Sequence, residues 1–81
     1  MPTQIDTPQH LGEAVRHARK ALGLTQPQLA LAAGVGVRFI VDLEAGKPTV
    51  RLANVLQVLR ALGATLSLSG LDGSPAQKLP S

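Results

Sequence analysis

The stretch TQPQLALAAGVGVRFIVDLEAG, Thr25 to Gly46, decides how this chain reads, because it carries two short helical patterns joined by a tight turn. Gln28 follows three residues after Thr25, so the Thr25 hydroxyl can cap a helix N-terminus while the Gln28 side chain reaches back, and two orphan backbone donors are satisfied reciprocally. Leu29, Ala30 and Ala33 then recur at helical spacing, and Gly34 supplies the left-handed residue that lets the chain stop and turn. A further helix follows almost at once. Val35 is expected to be buried in the turn, Ile40, Leu43 and Glu44 recur at three- to four-residue spacing, and Gly46 closes the segment as a C-cap.

Upstream, residues 1–6 are polar apart from Met1 and Ile5 and read as an extended arm. Thr7 followed by Pro8 starts a helix, since Thr caps and Pro at the first helical position loses no hydrogen bond. That helix is expected from about Pro8 to Leu22, with Leu11, Ala14, Val15, Ala18 and Leu22 inward, Glu13, Arg16, His17 and Lys20 outward, and Gly23 at its end. Downstream, Lys47 and Pro48 form a loop and Thr49 can cap a fourth helix from about Val50 to Leu62, closed by Gly63. Its apolar set is wide: Leu52, Val55, Leu56, Leu59 and Leu62 form one stripe, and Ala53, Val58 and Ala61 extend it. Such a helix needs more cover than three short helices give, and a second protomer would supply it.

Ala64 to Ser69 alternates strictly, which is the period of a half-buried strand. It is the one convincing strand in the sequence, and an unpaired strand leaves its backbone groups without partners. The arm around Thr3 to Ile5 is a short and poorly alternating partner in cis. Pairing with the same strand of a second copy across a two-fold axis satisfies both copies at once. Residues 70–81 are rich in Gly, Pro and Ser without periodicity and read as a disordered tail, so the domain itself is placed at 7–69.

Composition agrees with a small helical domain. At 81 residues the chain is one domain, and one of this size buries only roughly 60% of the surface its unfolded form exposes. Cysteine is absent, so neither a disulfide nor a thiolate metal site staples it, and oligomerisation gains weight. Apolar residues make up 44% but Phe39 is the one aromatic, so the core must be Leu, Val and Ala. The net charge of +3 and pI near 10.2 are compatible with nucleic acid and say little alone. Without a long apolar run or a signal-peptide pattern, a soluble cytoplasmic protein is expected, with no membrane partner.

Two helices joined by a Gly-containing turn make a helix-turn-helix, whose second helix can enter a DNA major groove. The run Thr25, Gln26, Leu29, Ala30, Gly34, Val35, Ile40, Glu44, Gly46 resembles the Cro/repressor (XRE) type, and the chain from about residue 5 to 69 resembles the HipB-type antitoxins. Nine positions in fixed register make the resemblance specific. It implies an all-α, compact four-helix domain with one C-terminal strand pairing across a homodimer. It also implies a largely buried ion pair between Arg19 and Glu44 that clamps the first helix onto the recognition helix; the other reading is that both are solvated. By the same resemblance Gln26 contacts backbone phosphate.

The N-terminal part of the third helix, Gly36, Val37 and Arg38, with Val41 and Asp42 one turn on, is expected to face base edges. Arg38 alone among these can make the bidentate guanine contact; the alternative is that it is solvated or touches phosphate. Thr25, Gln28 and Lys47 are further phosphate candidates, with Arg51 behind them. Relatives usually carry polar residues where this chain has Gly36, Val37 and Val41. Direct readout is therefore thin, and the valines could meet thymine methyls or leave specificity to DNA shape and dimer spacing. Leu52, Val55, Val58, Leu59, Leu62, Leu66 and Leu68 are the expected dimerisation set.

Enzyme readings find no support. The serines lie in the strand or tail, and His10 and His17 share the first helix with no Asp placed to orient either. No catalytic residue, metal, cofactor or small-molecule substrate is expected. The sequence thus reads as a homodimeric repressor of a double-stranded DNA operator. By resemblance it is also the antitoxin of a type II toxin-antitoxin pair, binding a HipA-type serine/threonine kinase toxin and autoregulating its operon. The rivals are a stand-alone helix-turn-helix regulator without a toxin, and a protein-interaction module with weakened DNA readout.

Overall fold

The computed structural model describes residues 3–68. Expectations for residues 1, 2 and 69–81, among them Ser69 of the strand and the disordered tail, lie outside the described residues. The element order is α1 (Pro8–Ala21), α2 (Gln26–Ala33), α3 (Val37–Glu44) and α4 (Leu52–Ala61).

Each start and stop has a local cause. The Thr7 hydroxyl accepts from the His10 N–H at 3.0 Å and Pro8 occupies the first turn of α1. Thr25 and Gln28 form the reciprocal capping box at the start of α2, at 3.1 and 2.8 Å. All four described helices end on a glycine at positive φ, and the residue after it donates its N–H to a carbonyl five residues back, at 2.8–3.1 Å. At Gly34 this ending sets the helix-turn-helix itself: with φ at 72° it takes a conformation that side chains disfavour, and Val35 bonds back to Ala30 while α3 starts two residues later.

The core consists of Val15, Leu29, Ala30, Ala33, Ile40, Leu43, Val55, Val58 and Leu59. Leu11, Leu24, Val35, Phe39 and Val50 are half-buried against it. α3 packs on α2 and α1, while α4 packs on α2. α1 lies so close to the end of α3 that a Cβ on Gly12 would stand 2.5 Å from the Leu43 carbonyl oxygen and 2.7 Å from that of Glu44. Only a residue without a side chain allows this crossing.

Three expectations are corrected. α4 begins at Leu52 rather than Val50, because Val50 is drawn against the core and Pro48 and Thr49 form a turn; Arg51, not Thr49, holds the cap position, without a side-chain cap. Its carbonyl accepts the first bonds, from Asn54 and Val55, both at 3.1 Å. Leu22 is exposed rather than part of the α1 face, since it sits at the C-cap where the backbone leaves the helix. Val55, Val58 and Leu59, expected at a dimer surface, are buried in the core of the chain itself, because α4 turns that face onto α2. Among the described residues no strand forms within the single chain, where residues 64–68 have no second edge; the expected pairing is one between two copies.

Candidate nucleic-acid interface

Arg19 leaves the last turn of α1 and meets the end of α3. Its Nε donates to Glu44 Oε2 at 2.6 Å, its Nη2 to Glu44 Oε1 at 3.0 Å, and its Nη1 to the Leu24 carbonyl at 2.8 Å. The side chains of Arg19 and Glu44 are only 10% and 5% exposed. Such a fork-to-fork pair fixes orientation as well as distance. The Glu44 hydrogen bonds hold the Arg19 pKa above the ordinary arginine range, against the pull of burial. The guanidinium also offsets a carboxylate at the C-terminal, negative end of α3. The expected clamp is present in this geometry, and the solvated alternative is not.

A third member joins it. The Gln26 amide nitrogen donates to Glu44 Oε1 at 3.1 Å, so the residue expected on phosphate is engaged inside the protein. Its contact connects α1, α2 and α3 through one carboxylate. No spacing in the sequence marks this, because the distance from position 26 to position 44 depends on how α2 crosses α3. The close approach at Gly12 likewise depends on how α1 crosses α3. Among the described residues no buried side-chain nitrogen or oxygen lacks a hydrogen-bond partner.

With its far end clamped, α3 presents its first turn outward. Gly36 is the N-cap and Val37 and Arg38 are exposed, while Val41 and Asp42 are half-buried on the following turn. Arg38 is 83% exposed at its side chain, and its Nε lies 3.3 Å from Asp42 Oδ1; the other oxygen, Oδ2, lies 3.6 Å from the Lys47 Nζ. Arg38, Asp42 and Lys47 are therefore one network at the protein surface. Exposed pairs of this kind add roughly 0–1 kcal/mol to stability. Thr25 and Gln28 are exposed at the start of α2 but spend one oxygen each on the capping box, leaving the Gln28 amide N–H groups to donate outward. Arg51 is exposed just before α4. Phe39 is half-buried against the core, as packing rather than as a wedge.

This surface offers cations, amide donors and a short helix end, and no reactive pair. A separate exposed apolar set lies on α4 and beyond: Leu52, Leu56, Leu66 and, at 85% exposure, Leu68. Of the expected dimerisation set, Leu52, Leu66 and Leu68 keep surface to bury, and Leu62 is half-buried. No helix among the described residues is long and apolar enough to cross a membrane.

Residues 15–68 match the family model described as HTH_3, Helix-turn-helix. An uncharacterized HTH-type transcriptional regulator, y4mF, of Sinorhizobium fredii (strain NBRC 101917 / NGR234) is 53% identical over 68 residues, covering 84% of this chain and 90% of that protein. Among solved structures, HipB in a complex with an O4 20mer superposes with a TM-score of 0.76 at 26% identity, over 82% of this chain and 93% of that one. A chain of a HipA-HipB-O2-O3 complex gives the same TM-score, identity and coverage.

Proposed function

The chain belongs to the HTH_3 helix-turn-helix family and is a transcriptional regulator of the DNA-binding type, and from that premise we propose that it acts as a homodimeric operator-binding repressor and as an antitoxin. The observation that carries the DNA part is the exposed first turn of α3, with Arg38 open to solvent and the far end of the same helix locked by Arg19 and Glu44. A recognition helix must be both accessible and rigidly placed, and these two features supply that. Two copies would be needed, since one strong base-reading side chain per α3 gives little discrimination; half-sites should then lie about 34 Å, one helical turn, or a multiple apart. Exposed Leu52, Leu66 and Leu68 support a two-fold interface in which residues 64–69 find a strand partner.

The partner is a HipA-type serine/threonine kinase toxin. Support comes from the likeness to HipB, which was solved together with HipA. The two proteins would repress their own operon. A second reading, a stand-alone regulator without a toxin, is favoured by the y4mF relative, which is described as a transcriptional regulator.

The deciding experiment is a gel-shift titration on the gene's own upstream DNA, with and without the product of the neighbouring reading frame. Tight, sequence-dependent binding that the neighbouring product supershifts supports both parts. Binding no tighter than to random duplex at physiological salt would defeat the operator reading. A neighbouring frame that encodes no kinase-like protein of several hundred residues would favour the stand-alone regulator. Deleting residues 64–69 should weaken dimerisation in sedimentation; an unchanged dimer would end the shared-sheet idea.

A further inference from the structure

Asp42 is the one acidic residue on the outward face of α3, and it stands between two cations. Its Oδ1 lies 3.3 Å from the Arg38 Nε and its Oδ2 3.6 Å from the Lys47 Nζ. Its side chain is 22% exposed, against 83% for Arg38 and 53% for Lys47, so the carboxylate is the seated member and the cations reach outward from it. Lys47 is held near it a second time, through its backbone N–H on the Asp42 carbonyl at 3.0 Å. Arg38 is engaged through Nε, and its two terminal nitrogens find no hydrogen-bond partner among the described residues. Those terminal nitrogens are the fork that a guanine O6 and N7 would accept from.

We propose that Asp42 determines specificity without reading a base: it steadies the Arg38 fork from behind and offsets the charge of Arg38 and Lys47, so that random phosphate gains little from either cation. The proposal rests on the DNA-binding reading above. Binding to random duplex is driven by phosphate neutralisation and counterion release, which respond to local net charge and not to side-chain direction. A guanine edge instead rewards a correctly aimed planar fork. An acid placed behind the arginine therefore weakens the first term and preserves the second. The i to i+4 spacing and the turn after α3 bring both cations to the same carboxylate, so one residue acts on both.

The test is a fluorescence anisotropy titration of the full chain, wild type and Asp42→Asn, against a labelled random duplex and a labelled duplex of the gene's upstream DNA, across a salt series. Each phosphate-neutralising cation adds a slope of about 0.9 in log affinity against log salt. Asp42→Asn uncovers one unit of positive charge and should therefore steepen the random-duplex slope by about 0.9 per recognition helix. It should tighten random-duplex binding at low salt, and lose about three- to fourfold more affinity than wild type, per released cation, between about 50 and 200 mM salt. The ratio of upstream to random affinity should fall. Adding Arg38→Ala to Asp42→Asn should return the random-duplex slope to about the wild-type value.

A random-duplex slope and affinity equal to wild type would overturn the proposal. So would a variant that weakens only on upstream DNA, since Asp42 would then be reading a base. If the wild type itself fails to prefer its upstream DNA, the operator reading falls, while the random-duplex slopes still decide on Asp42. A circular dichroism melt of Asp42→Asn close to that of the wild type confirms that the fold is not what changed.

Discussion

Arg19–Glu44 and Arg38–Asp42 are both arginine–carboxylate pairs, their acids two residues apart on the eight-residue α3, and they do opposite things. Glu44 is buried, holds Arg19 by two hydrogen bonds, and accepts a third from Gln26. Asp42 faces outward and holds its cations at 3.3 and 3.6 Å. The difference is solvent. In the dry pair no water competes for either charge, so the geometry is fixed; in the wet pair water competes for both ions and the contact can be exchanged. One end of α3 is thereby a fastening, and the other is a surface that can trade partners.

The comparison breaks first at the buried end. Glu44→Ala strands the Arg19 guanidinium in the core and should cost about 3–5 kcal/mol, read by urea or thermal denaturation. If Asp42→Ala costs as much, burial is not what separates the two pairs. Gly12→Ala comes next. Its Cβ would meet backbone oxygens of Leu43 and Glu44, which cannot rotate away, so α1 must shift from the clamp at a cost of about 1–3 kcal/mol. A melt unchanged from wild type would mean that the crossing of α1 and α3 has slack.

Arg38→Ala should leave stability within about 0.5 kcal/mol of wild type, as surface substitutions usually do. It should also cost about 1–3 kcal/mol in discrimination between operator variants in competition binding. Gln26→Ala sharpens the contrast, because it should lower stability by about 1–3 kcal/mol through its bond to Glu44, as well as weakening DNA binding generally. A Gln26→Ala protein with wild-type stability would return that residue to a pure phosphate role. Asp42→Ala should cost about 0–1 kcal/mol of stability, fading with added salt.

The pH response follows from the same contrast. Arg19 has its pKa raised in the folded state, so the stability it contributes is complete below the ordinary arginine pKa and is lost only as pH rises through the raised value. Across neutral and mildly alkaline pH, denaturation midpoints should show no Arg19-linked decline. A loss of stability in that window that Arg19→Met abolishes would contradict the buried pair.

Much of this was readable in the chain. Thr7 with Pro8, the Thr25–Gln28 box and the four helix-ending glycines act through neighbours a few residues away, so the sequence determines them locally and the helix order follows. The spacing of Leu29, Ile40 and Leu43 likewise marks an inward face, and the run from Thr25 to Gly46 marks the family. Other properties depend on how the helices lie against one another. Whether Val55 and Val58 face the core or a second copy, why position 12 must be glycine, and that Gln26 turns inward to Glu44 are set by crossing geometry. So is the division of labour along α3: a sequence displays two Arg–acid pairs as equals, and only the packing of α1 and α2 over Glu44, with nothing comparable over Asp42, removes water from one and leaves it at the other.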